Sequence, residues 1–232
     1  MTTNVKPEEL NYDHYATEKY DDDIVRSIPG HEELHRHIDK IVEEDFRGRK
    51  ALRILELGVG TGLTAERILR KIPNAQYTAI DFSEQMLAGS RRRLSQYDVT
   101  FVNGDYSQIE LPEDNDFVVS VVGIHHQETD DDKKRLFQRI YDSLNDTGSF
   151  IFGDLVTYRN PEEAALNEAR HFHHLVENAQ EEDSLKEWAH HHKSLNKLAP
   201  LEDQVEWLRE VGFREVKVVY QKFNTALIYA TK

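Results

Sequence analysis

A chain of 232 residues without cysteine can bury one ordinary core, but it cannot hold a disulfide, a thiolate metal site or a cysteine nucleophile. Its 43 acidic and 29 basic side chains give a formal charge of −14, which disfavours a nucleic-acid backbone as partner, favours small-molecule substrates, and leaves a homodimer open. No apolar run approaches the ~20 residues that span a bilayer, and the start Met1-Thr2-Thr3-Asn4-Val5-Lys6-Pro7 lacks the apolar stretch of a signal peptide, so the expectation is one cytoplasmic domain without a membrane partner.

Residues 1–29 are polar, with Tyr12, Tyr15 and Tyr20 spaced among acids and Pro29-Gly30 closing the segment, which reads as a short helix or arm. Leu34, Ile38, Ile41, Val42 and Phe46 recur near the helical period, predicting an amphipathic helix over 31–46 that packs on a sheet. Strands and helices then alternate: strand 53–57, helix 63–71, strand 76–80, a helix from Ser83 as N-cap to about Tyr97, and strand 99–102. The run 117–122, nearly all Val and Phe, has the composition of a central parallel strand buried on both faces. A helix over 129–144 follows, then a turn at 145–148 and a fifth strand over 149–154. The polar, charged stretch 160–199 breaks this rhythm; opening at Pro161 and ending before Pro200, it reads as an inserted helical cap. A last helix over 201–211 with Gly212 at its C-cap, and two strands over 215–220 and 225–229, close the chain.

The most informative residues join the first strand to its helix. Ile54-Leu55-Glu56-Leu57-Gly58-Val59-Gly60-Thr61-Gly62 reads as a buried strand and a three-glycine turn, and Asp81 ends the second strand nineteen residues after Gly62. A carboxylate there can accept hydrogen bonds from ribose hydroxyls. The glycine spacing is not the G-x-G-x-x-G of a pyrophosphate site, and Glu56 would repel phosphate, so the pattern suits an adenosine ligand that carries an ammonium group.

Glu56-x-Gly58-x-Gly60-x-Gly62, Asp81 and Asn103-Gly104-Asp105 resemble the class I S-adenosylmethionine-dependent methyltransferases. The resemblance implies an α/β three-layer sandwich with a seven-stranded, mostly parallel sheet of order 3-2-1-4-5-7-6, its last strand antiparallel, and the cap inserted after strand 5. It further implies S-adenosyl-L-methionine as cofactor, with Glu56, Gly58, Gly60 and Gly62 around the methionine portion and Asp81 on the ribose. Phe82 and Met86 would pack on the adenine and Asp105 would accept from its amino group, with Tyr106 beside it. Residues 1–29 would fold over the site as a lid, helped by the cap, and Arg159, Arg170 and the tyrosines of the N-terminal segment are candidates for lining the acceptor pocket. The expected activity is methyl transfer to a small molecule. Tyr220-Gln221-Lys222-Phe223-Asn224 also resembles the closing hairpin of carboxy-S-adenosylmethionine synthases, although Trp207 stands about where their carboxylate-binding arginine would fall. A non-catalytic S-adenosylmethionine-binding module is the third reading.

His125 and His126 follow the fourth strand, where an imidazole titrating near neutrality can act as general base. In the cap, His171 and His174 share a helical face that His190 or His191 of a facing helix, with Glu168 or Glu187, would meet. No tight metal-ligand spacing accompanies them, so the expectation is a polar histidine face and no metal.

Overall fold

The computed structural model describes residues 17–232. Tyr12 and Tyr15, and the first part of the expected N-terminal arm, lie outside the described residues. Helix α1 (Thr17–Ser27) leads to α2 (His31–Ile41), whose last turn widens into a π-helical turn, Val42–Phe46. Five strands and three helices follow: β1 (Arg53–Leu57), α3 (Leu63–Lys71), β2 (Gln76–Asp81), α4 (Glu84–Arg93), β3 (Val99–Asn103), β4 (Asn115–Val121), α5 (Asp130–Ser143) and β5 (Leu144–Leu155). Two helices, α6 (Pro161–Asn178) and α7 (Glu182–Ser194), form an insertion, and α8 (Leu201–Val211), β6 (Glu215–Lys222) and β7 (Thr225–Thr231) complete the chain.

The seven strands form one sheet of order β3-β2-β1-β4-β5-β7-β6. β1 pairs in parallel with β2 and β4, β2 with β3, and β4 with β5, while β7 runs antiparallel to both β5 and β6. Successive residues of the central strands feed opposite cores. Leu55, Leu57 and Val118 meet Leu136, Phe137 and Ile140 of α5 and Leu208 of α8; Ile54, Phe117 and Val119 meet Leu34 and Ile38 of α2, Phe46, and Ile68 of α3. Burial on both faces is why these strands lack a polar alternation, and it makes the α/β/α sandwich.

Local chemistry sets the element ends. Ser83 accepts the Met86 amide and starts α4; Thr129 and Asp132 form a reciprocal capping box on α5; Asn160 accepts from Glu162 and Glu163 ahead of Pro161 at the start of α6. Two boundaries differ from the sequence reading. Helix α4 ends at Arg93, not near Tyr97, with its basic last turn against the negative end of the helix dipole. β5 begins at Leu144, because Leu144 pairs with Asn115 across an irregularity in the β4 ladder, so residues expected as a turn join the strand.

Candidate functional site

The parallel strands β1, β2 and β4 bring their C-terminal ends together at one edge of the sheet, where β1 is flanked by neighbours reached in opposite directions, the position at which such sheets bind ligands. Three glycines follow β1, with φ of +74° at Gly58, +55° at Gly60 and +86° at Gly62. The turn is stitched to β2 by the Gly58 and Val59 amides, which donate to the Ile80 carbonyl at 2.9 and 3.0 Å. Gly60 donates its amide to Asp81 Oδ2 at 2.8 Å and Ser83 donates to Oδ1 at 2.9 Å, so the carboxylate is fixed by the loops on both sides of it.

The glycines serve two purposes. A Cβ on Gly62 would lie 2.8 Å from Ser90 Oγ, so that residue lets α3 and α4 approach each other. A Cβ on Gly60 would meet nothing among the described residues nearer than the Tyr20 ring at 4.0 Å. Room beside bare backbone is what close approach of a ligand requires.

The remaining predicted cofactor residues surround this turn at different depths. Phe82 is half-buried and Met86 buried at the start of α4. Asn103 donates its side-chain amide to the Phe82 carbonyl at 2.9 Å, tying β3 to the loop after β2. Asp105 Oδ1 accepts the Ser107 amide at 2.8 Å, an Asx turn that presents Tyr106. Tyr106 is buried and donates its hydroxyl to the Gly123 carbonyl at 3.0 Å, with its ring edge 3.7 Å from where a Gly58 Cβ would stand, so it joins the β1, β3 and β4 loops. Glu56 is 2 % exposed and accepts the Tyr77 hydroxyl at 2.6 Å. Burial pushes its carboxyl up to about 8, against the pull of the Tyr77 hydrogen bond and with a further push from Asp81, so it is held protonated at neutral pH.

β4 is followed by Val122, a β-branched residue at φ +53° whose amide donates to the Gly153 carbonyl at 2.7 Å. Such a backbone costs on the order of 1–3 kcal/mol, and it turns the chain into the short helix Ile124–His126 at the site. His125 and Asp154 are 3 % and 1 % exposed. Asp154 Oδ2 accepts the His125 amide at 2.9 Å, while Oδ1 accepts from the His125 ring through Nδ1 and from the Leu155 amide at 2.9 Å. A ring donating through Nδ1 has Nε2 as its basic nitrogen, the arrangement of an oriented general base. His126 lies with its ring centroid 3.9 Å from that of His125 and 5.3 Å from that of His191, and burial holds it well below the ordinary imidazole range. Asp154 had no motif of its own in the sequence. The signal that finds it is the β4–β5 register, which sets Val121 beside Gly153 and therefore Asp154 at the level of the His125 loop.

Between this loop, α1 and α7 lies a cavity of about 310 Å³. His125 and His126 form one wall, Tyr20, Asp23 and Ile24 of α1 another, and Trp188 of α7 faces in from the insertion. Tyr20, Ile24 and Val122 also line the space beside Gly58 and Gly60, so the same three side chains separate the glycine turn from the cavity. Helix α1 is anchored there by Asp21, which accepts from the Thr61 hydroxyl and from Arg93. Of the cap histidines, His171 has its ring centroid 4.1 Å from that of His192, the two planes tilted by 43°, and bonds Asn224 Oδ1 of the closing hairpin at 2.8 Å, while His192 faces Glu168 at 3.3 Å. The helix facing His171 thus contributes His192, where His190 or His191 was expected. Among the described residues no three His, Asp or Glu side chains converge as metal ligands. Arg159 is held outside by Asp203 and Glu206, Arg170 is exposed over Phe223, and Trp207 is buried in the α5–α8 core with Lys134 over its ring at 5.0 Å.

Sheet order, a glycine turn at the end of β1 and an acid at the end of β2 define a Rossmann-like fold, the fold that the class I S-adenosylmethionine-dependent methyltransferases share. A methyltransferase-domain family model matches residues 54–148. The malonyl-(acyl-carrier protein) O-methyltransferase of Bacillus cytotoxicus is 34% identical over 111 residues, which are 48% of this chain and 35% of that one. The carboxy-S-adenosyl-L-methionine synthase of Nautilia profundicola is 27% identical over 230 residues, 97% of this chain and 95% of that protein. Among solved structures, an O-methyltransferase family protein from Burkholderia thailandensis superposes with a TM-score of 0.68 at 15% identity, covering 99% of this chain and 64% of that one, a likeness of fold. No helix among the described residues is long and apolar enough to cross a membrane.

Proposed function

We propose that the protein is a methyltransferase that uses S-adenosyl-L-methionine on a small-molecule acceptor held in the cavity between α1, the β4 loop and α7. The observation that carries this reading is the shared wall of Tyr20, Ile24 and Val122, with the glycine turn and Asp81 on one side and the His125–Asp154 pair on the other. When bound, the cofactor supplies a methyl group on a sulfonium centre, an electrophile. In this reading Gly58 and Gly60 leave room for the methionine portion, Asp81 holds the ribose, and Phe82, Met86, Asp105 and Tyr106 surround the adenine. His125 takes a proton from the acceptor through Nε2, and Asp154 steadies the imidazolium that results. Much of the acceleration comes from placement in a site that α1 and the insertion close from water, with α1 as a lid.

The full-length likeness to a carboxy-S-adenosyl-L-methionine synthase supports a second reading, in which the cofactor itself is the molecule modified. A carboxylated product needs a cationic side chain to hold its extra charge. Trp207 lies in the core, and no lysine or arginine is among the described residues that line the cavity. The test is incubation with S-adenosylmethionine and a metabolite panel, followed by mass spectrometry. S-adenosylhomocysteine formed together with a methylated acceptor supports methyl transfer. Carboxy-S-adenosylmethionine formed with a carboxylate donor, and no methylated product, overturns it.

A further inference from the structure

The cavity wall has a charge pattern that bears on what it accepts. Its described lining contains two carboxylates, Asp23 and Glu187, several imidazoles, the aromatic side chains Tyr20 and Trp188, and no lysine or arginine. Four of these imidazoles add no charge at pH 7: burial lowers His126, His171, His191 and His192 below their ordinary value, to about 3 for His171 and about 4 for His191.

Three polar atoms on this wall are buried without a hydrogen-bond partner among the described residues: Asp23 Oδ2, Asn196 Oδ1 and Trp188 Nε1, the last on a side chain only 8 % exposed. Buried polar atoms left unpaired are costly, the more so when charged, so three around one cavity point to a ligand that satisfies them. Two are acceptors and one is a donor, and one acceptor belongs to a carboxylate. Burial raises the Asp23 carboxyl above its ordinary value, with a further push from Glu187 and against the pull of Lys19 and Arg26. Lys19 and Arg26, the basic neighbours of Asp23 on α1, line a separate small space behind Asp23 and Trp188, together with Asp22 and Glu181. The Lys133 ammonium is held by the Gln127 carbonyl at 2.8 Å, outside the cavity lining.

We infer that the acceptor is a small cationic molecule, an amine, whose ammonium group is held by Asp23 against the faces of Trp188 and Tyr20, with an oxygen or nitrogen acceptor on its body that meets Trp188 Nε1. An ammonium is attracted both to a desolvated carboxylate and to an aromatic face. Carboxylate and phosphate ligands would meet Asp23 and Glu187 with like charge, and no lysine or arginine of the described lining would offset it. The inference rests on the cavity being the acceptor site of the proposed methyltransferase and deepens that reading. It differs from what the name of the malonyl-(acyl-carrier protein) relative states, since a malonyl group ends in a carboxylate.

The test is binding, read by calorimetry on the full chain saturated with S-adenosylhomocysteine. The probes are matched sets differing only in head group: tyramine, tyrosol and 4-hydroxyphenylacetate, and the amine, alcohol and carboxylate on a phenyl, an indole and a six-carbon aliphatic body. At least one amine should bind at least tenfold more tightly than its matched carboxylate. Asp23→Asn should remove that preference, and Trp188→Phe should weaken the amine severalfold while leaving S-adenosylhomocysteine affinity within twofold. Binding of S-adenosylhomocysteine with no amine bound, carboxylates bound as tightly as amines, or an amine preference that survives Asp23→Asn would each overturn the inference. Absence of S-adenosylhomocysteine binding would instead overturn the cofactor reading beneath it.

Discussion

Replacing Glu56 by glutamine tests the buried end of the glycine motif. The carboxyl titrates at an ordinary 4.5 in the unfolded chain and at about 8 in the folded one, because it is buried and receives only the Tyr77 hydroxyl. Between those values the folded protein holds one proton more than the unfolded chain, so stability falls as pH rises, by about 1.4 kcal/mol per unit. The histidines act with the opposite sign. His31 and His171, lowered to about 3, and His191, lowered to about 4, stay neutral in the fold while the unfolded chain protonates below about 6.5, so they remove stability as pH falls through that range. The window from pH 6.5 to 8 therefore isolates Glu56. Over it the unmutated protein should lose about 2 kcal/mol in urea unfolding, and Glu56→Gln, which keeps an acceptor for Tyr77, should lose almost nothing. Parallel stability curves for the two proteins across that window would refute the account of Glu56.

Four further outcomes follow. If Glu56 receives the ammonium of the ligand's methionine portion, it must give up its proton, so the calorimetric enthalpy of S-adenosylhomocysteine binding at pH 7 should vary with the ionisation enthalpy of the buffer; an enthalpy independent of buffer would exclude that role. Asp154→Asn should lower kcat by about 10²–10⁴ with S-adenosylhomocysteine affinity unchanged, and turnover within threefold of the parent would show that no oriented base is used. Gly62→Ala combines φ +86° with a contact at 2.8 Å to Ser90 Oγ and should cost about 1–3 kcal/mol in thermal unfolding; an unchanged midpoint would contradict the packing role given to this glycine. Asp21→Ala, which releases α1 from Thr61 and Arg93, should speed S-adenosylhomocysteine dissociation severalfold in stopped flow, and an unchanged rate would argue against α1 as a lid.

The sheet was legible because each central strand is a mostly apolar run and two of the crossover helices carry side-chain caps, Ser83 and Thr129. The turn around Gly58, Gly60 and Gly62 was legible for a related reason, since positive φ at three alternate positions is written in glycine. The acceptor side was not. Asp154 is the last acid of a strand whose sequence gives no sign that its carboxylate reaches across to the His125 loop, and that contact depends on strand register. Asp23 and Trp188 meet across a cavity built from elements about 165 residues apart in the chain, a juxtaposition that no local spacing encodes. Arg159 shows the converse: a guanidinium placed by sequence near the insertion is drawn to Asp203 and Glu206 on the first turn of α8 and the next, away from the cavity.

The central claim is that the turn after β1 and the acid after β2 hold an adenosine-bearing sulfonium cofactor. Calorimetry of S-adenosylhomocysteine against the full chain and against Asp81→Ala measures it directly. Saturable binding to the parent, weakened by at least tenfold when the carboxylate held by Gly60 and Ser83 is removed, is the predicted result. No detectable binding to the parent at millimolar ligand, or equal affinity for the two proteins, would contradict it.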